Sequence, residues 1–326
     1  MKKLIFISIF ILSTLIYAQS ESSPYNSKAG SFARLGFGAR GMGMGNAMSA
    51  VIDGNVFTYY NPALSVFQEK NSFQTSYTFM TLDRKLNFLS FTKKFKLKSR
   101  GNTERYLGFS AGIINSGVSD IPGYDNEGTF TGNLSTSQNQ FYIALANKFS
   151  EKFTLGVTFK YYYYDLYEDL TSTSIGIDIG AIYRITENLT AAFTITDLNA
   201  KDEWDSSDIY GSSGTKTTHK FPVLTKFGLA YKTLENKLLV AVDYESSNAE
   251  TDIVRVGSEY KIHENLTVRA GCDRIHLENM DIPVRPSFGF SYFYKLNNNI
   301  IGINYAFVVE PYSSGDLHVV GVNFNF

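Results

Sequence analysis

His219, His263, His276 and His318 are the four histidines of the 326-residue chain, and Cys272 is its one cysteine. Nucleophilic or metal chemistry needs such groups held beside carboxylates or hydroxyls at fixed spacing. The densest grouping is His276 with Asp273, Glu278 and Asp281, the set from which a Ser- or Asp-assisted hydrolytic site would have to be built. One imidazole among scattered carboxylates lacks zinc-ligand spacing, and acidic residues in a polar connection are ordinarily solvated. Gly41, Gly43 and Gly45 suggest a phosphate loop, but the spacing is not G-x-G-x-x-G and no strand-helix-strand unit follows. No catalytic residue, metal or other cofactor is therefore expected, and the chain is expected not to be an enzyme.

The elements that would position any site come next. The composition includes 22 Tyr, 26 Phe and 26 Gly but only 7 Pro, which suits pleated strands and tight turns better than helices. Met1-Lys2-Lys3, the apolar run Leu4 to Ile16 and then Tyr17-Ala18-Gln19 have the order of a secretory signal peptide, with Ala18 the last residue removed. The rival reading, an N-terminal anchor, is opposed by a run shorter than the ~20 residues a spanning helix needs. The chain carries 30 Lys plus Arg and 31 Asp plus Glu; loss of Lys2 and Lys3 leaves 28 basic residues, and this near-neutral balance gives no footprint for nucleic acid. With a single cysteine no intramolecular disulfide forms, and no lipid-acceptor Cys follows the leader. If an exported chain without a long apolar run enters a membrane, it must do so as a closed barrel.

After an atypical region to about residue 70, segments with period-two alternation follow one another at transmembrane-strand length: 72-80, 85-96, 104-115, 139-149, 152-165, 171-185, 188-198, 220-233, 236-246, 251-262, 265-276, 284-295, 298-310 and 316-326. The fourteen segments predict an all-β, antiparallel up-and-down transmembrane barrel. In 152-165, Phe153, Leu155, Val157, Phe159, Tyr161 and Tyr163 share one face, while Thr154, Gly156, Thr158, Lys160, Tyr162 and Tyr164 share the other. A soluble sandwich could show such a pattern. Charge placement argues for the barrel, because Lys160, Asp178, Lys226, Asp243, Arg255, Glu259 and Arg269 all lie opposite the bulky aliphatics. A charge facing lipid at mid-bilayer costs about 2 to 4 kcal/mol, whereas one facing a wet lumen costs little. By the same parity Tyr162, Tyr164, Ile182 and Phe293 point inward.

Connections alternate between short and long. Ser150-Glu151-Lys152, Thr186-Glu187-Asn188, Thr233 to Lys237, His263-Glu264-Asn265 and Leu296 to Asn299 are short polar turns suited to the periplasm, while 116-138, 199-219 and 274-284 are long and suited to the exterior. Both termini are then periplasmic and the protein lies in the outer membrane of a Gram-negative-type bacterium, in contact with its lipid. The sequons at Asn133, Asn188 and Asn265 are chance matches in that setting. Trp204 and Tyr210 lie in the 199-219 connection, where they pack the loop or bind a partner. Val320, Val322, Phe324 and Phe326 form one face of a last strand, and Phe324 and Phe326 resemble the signal read by the outer-membrane barrel assembly machinery.

Residues 32-64 follow another pattern: Gly38-Ala39-Arg40, the Gly/Met run Gly41 to Gly45, the apolar stretch Ala47 to Ile52, Asp53, and Asn61-Pro62-Ala63. This succession resembles the PorV/PorQ family within the FadL-like outer-membrane barrels. The resemblance implies fourteen strands and an N-terminal hatch, dividing the chain into a signal peptide (1-18), a hatch or plug segment (19-70) and a barrel (71-326). The hatch-motif residues are Gly38, Ala39, Arg40, Gly41, Gly43, Gly45, Asp53, Asn61, Pro62 and Ala63. A plug inside the barrel and a cap outside it both fit the residues.

Two functions are implied. The PorV/PorQ resemblance implies a non-enzymatic partner in type IX protein secretion, binding secretion components or exported cargo through its loops. The wider superfamily implies passive transport of hydrophobic molecules, with a small hydrophobic ligand in the lumen. If the leader is cleaved as read, the intact mass of protein purified from outer membranes corresponds to a chain beginning at Gln19; recovery of chains starting at Met1 would refute the cleavage.

Overall fold

The computed structural model describes residues 28–97, 105–167 and 170–326. The expected leader, residues 1-18, lies outside them. Sixteen strands follow in chain order: β1 (Ser72–Phe79), β2 (Arg84–Leu97), β3 (Arg105–Tyr124), β4 (Phe130–Lys148), β5 (Phe153–Tyr167), β6 (Leu170–Arg184), β7 (Leu189–Leu198), β8 (Lys201–Asp205), β9 (Lys216–Lys220), β10 (Leu224–Thr233), β11 (Leu238–Ser247), β12 (Thr251–His263), β13 (Leu266–His276), β14 (Arg285–Leu296), β15 (Asn299–Val308) and β16 (Leu317–Asn325). Fourteen of them close into one antiparallel barrel, with each strand beside its chain neighbour, β7 beside β10, and β1 beside β16. The expected fourteen-strand barrel is observed. Among the described residues no helix is long and apolar enough to cross a membrane.

Alternation dictates which face each residue takes. In β5, Phe159 and Tyr161 are 54% and 44% exposed on the outside, whereas Thr158, Lys160, Tyr162 and Tyr164 are buried on the inside. Outward Ile175, Phe227, Leu229, Phe288, Ile303 and Val322 extend the same apolar belt around the barrel. A belt of this extent has no reason to face water and is the surface a bilayer covers. All seven mid-strand ionisable residues face inward, and so do Ile182 and Phe293.

Two connections differ from the sequence reading. The segment 116-138 is not a loop: β3 and β4 run on as a paired ribbon to Tyr124 and Phe130, closed by a turn in which Asp125 Oδ1 accepts from the Glu127 and Thr129 amides. The alternation there is weak because most of the ribbon is half-buried or exposed, without one face set against lipid and the other against a packed lumen. Likewise 199-219 contains the β8–β9 hairpin, with a single helical turn α2 (Ser207–Tyr210) at its tip, so β10 begins at Leu224 rather than at 220. Lys216–Lys220 is polar throughout and pairs with β8, not with the barrel.

These assignments predict a depth-dependent cost on the outer face. Phe159→Arg, near the middle of β5, should destabilise the barrel by about 2 to 4 kcal/mol, while Phe153→Arg at the start of the strand, near the rim, should cost about 0 to 1. Matched refolding titrations into bilayers measure the difference, and equal costs would place the membrane belt elsewhere.

Candidate functional site

Fourteen strands enclose more space than inward side chains fill, and residues 30–67 occupy it. They run as a 3-10 turn (Ser31–Arg34), a short helix α1 (Ala39–Gly43) and a second 3-10 turn (Pro62–Phe67) joined by tight irregular backbone. Their contacts are with the inner wall. At Gly108, Gly156, Gly180, Gly228, Gly257 and Gly271, six inward positions on six strands, an added Cβ would collide with this segment. At Gly156 it would stand 2.5 Å from the Ala63 nitrogen, so here main chain lies directly against main chain. The segment itself needs left-handed backbone at Gly38 (φ 74°) and Gly45 (φ 59°), where a side chain would also strike the Phe57 ring and the Cys272 backbone.

The motif residues divide into those that fold the segment and those that fasten it. Asn61 is extended (φ −161°) before Pro62, as a residue preceding proline must be. Its Oδ1 accepts from the Ala63 amide at 2.9 Å, and its Nδ2 donates to Ser49 O on one side and Ala181 O of the wall on the other. Arg40 forms a two-pronged pair with Glu259 of β12, at 2.9 and 2.8 Å, and its remaining nitrogen donates to the carbonyls of Asp53 and Asn55. Asp53 pairs with Lys232 of β10 at 2.8 Å. Gly41 leaves room for the Tyr60 ring, and the Tyr60 oxygen lies 2.6 Å from Asn46 Oδ1 while accepting the Phe37 amide. Gly43 packs on Arg269, and Ala39 and Met42 sit in a small apolar cluster with Ala306, Val308 and Val319.

Several anchoring residues on the wall carry no motif signature. Asp243 of β11 accepts the Met48 and Ser49 amides and the Ser49 hydroxyl. Asp273 accepts from Asn46 and pairs with Arg255 at 2.7 Å. Glu245 joins Arg255 to Lys226, and Lys160 holds both Asp178 and Asp197, with the Tyr162 hydroxyl donating to Asp197. The inward charges are thus largely buried in ion pairs, not bathed in a wet lumen. The His276 grouping is not assembled: Asp273 is committed to arginine and Asn46, and Glu278 and Asp281 stand exposed at the surface. Among the described residues no group of His, Cys, Asp and Glu could hold a metal ion.

Space remains at both mouths. The end bearing the β8–β9 hairpin has cavities of about 610 Å³ and about 470 Å³, the first beside Tyr164 and Trp204, the second beside Phe32, Leu35, Met80 and Tyr312. The other end has one of about 170 Å³ beside Arg40, Phe57 and Phe293. Between them stands an aromatic cluster in which Phe32 meets Tyr162 and Tyr164 edge-on, and Phe37 meets Tyr59 and Phe88. The hairpin folds into the mouth, its Lys201 and Glu203 amides donating to the inward hydroxyls of Ser174 and Ser172 on β6. Trp204 packs beside Tyr164 at 5.8 Å. Burial pushes the neighbouring Asp202 carboxyl up, against the pull of His219 and Trp204. Phe324 and Phe326 stack at 5.3 Å at the end of β16.

The fold is that of the FadL-like outer-membrane barrels. The chain is similar to the Pseudomonas putida toluene transporter TodX (16% identity, TM-score 0.56, covering 89% of this chain and 96% of that one). It is similar to the monoaromatic hydrocarbon channel CymD (16%, 0.59, 89% and 98%) and to a Pseudomonas aeruginosa FadL homologue (12%, 0.52, 89% and 98%). No protein-family model and no curated protein matches the sequence, so no match supports the narrower PorV/PorQ resemblance.

Arg40→Met removes the two-pronged partner of Glu259 while Arg269 remains 3.2 Å away. We expect the inner segment to seat roughly 3 kcal/mol less firmly, the lower end for breaking a buried pair, with the barrel intact. Planar-bilayer recordings should then show open bursts that the parent lacks, and residues 30–65 should become cleavable by protease. An Arg40→Met barrel as silent and as resistant as the parent would remove the anchoring role.

Proposed function

We propose that the protein is a passive outer-membrane transporter of small hydrophobic molecules, with residues 28–70 as its movable hatch and both termini in the periplasm. The observation that carries this reading is the arrangement of the lumen: cavities of about 610 and 470 Å³ at one mouth and about 170 Å³ at the other, separated by a segment fastened through noncovalent contacts. The first two volumes fall within the range of small-molecule sites. The likeness of fold to barrels named as toluene transporters and monoaromatic hydrocarbon channels supports the same reading. Phe324 and Phe326, on the closing strand, serve as the signal for the barrel assembly machinery, and bilayer lipid covers the outer belt.

A second reading, partnership in type IX secretion, draws on one feature. The β3–β4 ribbon runs on beyond its pairing with β2 and β5 and exposes Tyr124 and Phe130, an aromatic pair that an exported protein or secretion component could bind. The lumen does not call on that reading, and the transporter is preferred.

The Asp53–Lys232 contact offers the test. In cells carrying Asp53→Cys with Lys232→Cys, oxidation should lock the hatch and reduce uptake of labelled toluene to that of cells lacking the protein, and a reductant should restore it. Uptake unaffected by a verified cross-link, together with loss of protein secretion when residues 119–133 are exchanged, would replace transport with the secretion role.

A further inference from the structure

Charge is sorted along β3 and β4. From Lys93 to Arg105, across the end of β2 and the start of β3, the sequence has six basic residues and one acidic; from Lys148 to Lys152 it has two basic and one acidic. Between Arg105 and Lys148 it has no Lys or Arg, and the three acids there, Asp120, Asp125 and Glu127, are exposed at the opposite end of the barrel. Lys98, Arg100 and Glu104 lie outside the described residues, whereas Lys93, Lys94, Lys96, Arg105 and Lys148 stand at described strand ends. One acid offsets one of these cations, Glu151 pairing with Lys148 at 2.7 Å. Other turns at the same end are balanced, with Arg184 near Glu187 in sequence, Lys237 near Glu235, and Lys295 at 3.9 Å from Glu264. The basic rim is therefore confined to one sector. Lys93 alternates with Phe91, Phe95 and Leu97 on the outer face, and Arg105 stands across the ladder from Leu97 on that face. The Lys93 ammonium lies 5.1 Å from the Phe95 ring centre, so its side chain reaches two residues towards the rim. Lys94 reaches the same way, 5.3 Å over Tyr106, which pairs with Lys96 and Lys148. Long basic side chains bend like this where an apolar belt meets a polar layer.

We infer that this rim binds an anionic phospholipid, its acyl chains along Phe91, Phe95 and Leu97 and its phosphate beside the Lys93 ammonium and the Arg105 guanidinium. The remaining cations of the sector add to the attraction, which acts over about a Debye length. With both termini in the periplasm, as proposed above, the lipid belongs to the inner leaflet. The inference goes beyond transport and rests only on that orientation. A lipid fits better than a soluble acidic protein because Lys93 and Arg105 share the outer face with the apolar belt, where a headgroup is already at hand and a soluble partner would have to displace lipid.

Trp204 is the chain's only tryptophan, so Phe95→Trp in a Trp204→Phe background gives a single emitter beside the site. The full-length protein is placed in vesicles containing brominated phosphatidylglycerol or brominated phosphatidylcholine, and quenching gives their relative binding. Phosphatidylglycerol should bind about fivefold more tightly or better, the amount one basic side chain near an anionic surface supplies. Lys93→Gln with Arg105→Gln should bring the two lipids level, and Lys216→Gln with Lys220→Gln, at the other mouth, should leave the preference unchanged. Equal quenching by the two lipids, a preference that survives Lys93→Gln with Arg105→Gln, or one lost equally in the control pair overturns the inference. Should the variants fail to fold, the lipid comparison on the emitter protein and its loss in about 1 M salt, where screening reaches about 3 Å, decide alone. Soluble polyglutamate that binds the protein in phosphatidylcholine vesicles, with no preference between lipids, would make the rim a protein-docking surface instead. Orientation is read separately from Glu187→Cys, in an exposed turn at the same end. Its labelling in intact cells by an impermeant maleimide, above the Cys272 background, would overturn the orientation and with it the inner leaflet; a shielded Cys with equal quenching removes the lipid site and leaves the orientation standing.

Discussion

The space inside a fourteen-strand ring is the constraint on which the rest of the structure depends. Eight-stranded barrels fill with side chains and sixteen-stranded ones stay open; this chain lies between and fills its lumen with its own N-terminal region. A segment with only short helical turns leaves many amides and carbonyls unpaired, and every one buried in the lumen has to find a partner. The wall meets this demand in two ways. Inward glycines such as Gly156 and Gly271 let main chain approach main chain, and inward side chains such as Asp243 accept the Met48 and Ser49 amides that no helix or sheet claims. The glycines on the two sides serve different ends: those of the segment bend it, and those of the wall admit it.

The charges that mark the lumen face have a related purpose. Facing water they would cost little, but in this lumen Glu259, Glu245 and Asp273 are drawn into contact with Arg40, Arg255 and Arg285 under low solvent exposure. Desolvation offsets most of the attraction in such pairs, so their net stabilisation relative to an apolar contact is small, while a mismatched position is heavily penalised. A segment held in this way is placed with high specificity and without overwhelming affinity. On the proposed transport reading, that balance suits a hatch that must return to one seat after leaving it better than an all-apolar contact would.

What could be read from the sequence follows from which interactions are local. Strand parity was visible in β5 and β6 because each strand meets lipid on one side and a packed lumen on the other, and the two environments sort residue types at period two. The ends of the barrel were not readable. Beyond Val118 the β3–β4 ribbon meets neither environment consistently, so a continuing ladder resembled a loop, and the β8–β9 hairpin, polar on Lys216–Lys220, lay hidden in the connection 199-219. The motif residues were picked out as a group, yet nothing in their spacing named Glu259 or Lys232 as partners, because those contacts join positions 219 and 179 residues apart. The glycines on the wall were present in the alternation as the small members of the inward face; their meaning emerges only once something is known to lie against them.

The same geometry links the two mouths. Lys28 to Ser31 line the cavity beside Trp204 and also begin the segment whose Arg40 is fastened near the other end. A molecule in that cavity therefore touches the inner segment, which on the proposed transport reading blocks its path. Such contact can move the hatch only as far as the ligand binds better to the displaced arrangement than to the seated one. Phe32 packs on Tyr162 and Tyr164, and Tyr162 in turn holds Asp197 within the Lys160 network. Withdrawal of the segment's first turn would expose these aromatic rings to the cavity, so on the proposed transport reading a ring-bearing solute gains contact surface as the segment leaves, which is the differential affinity that passive transport would require.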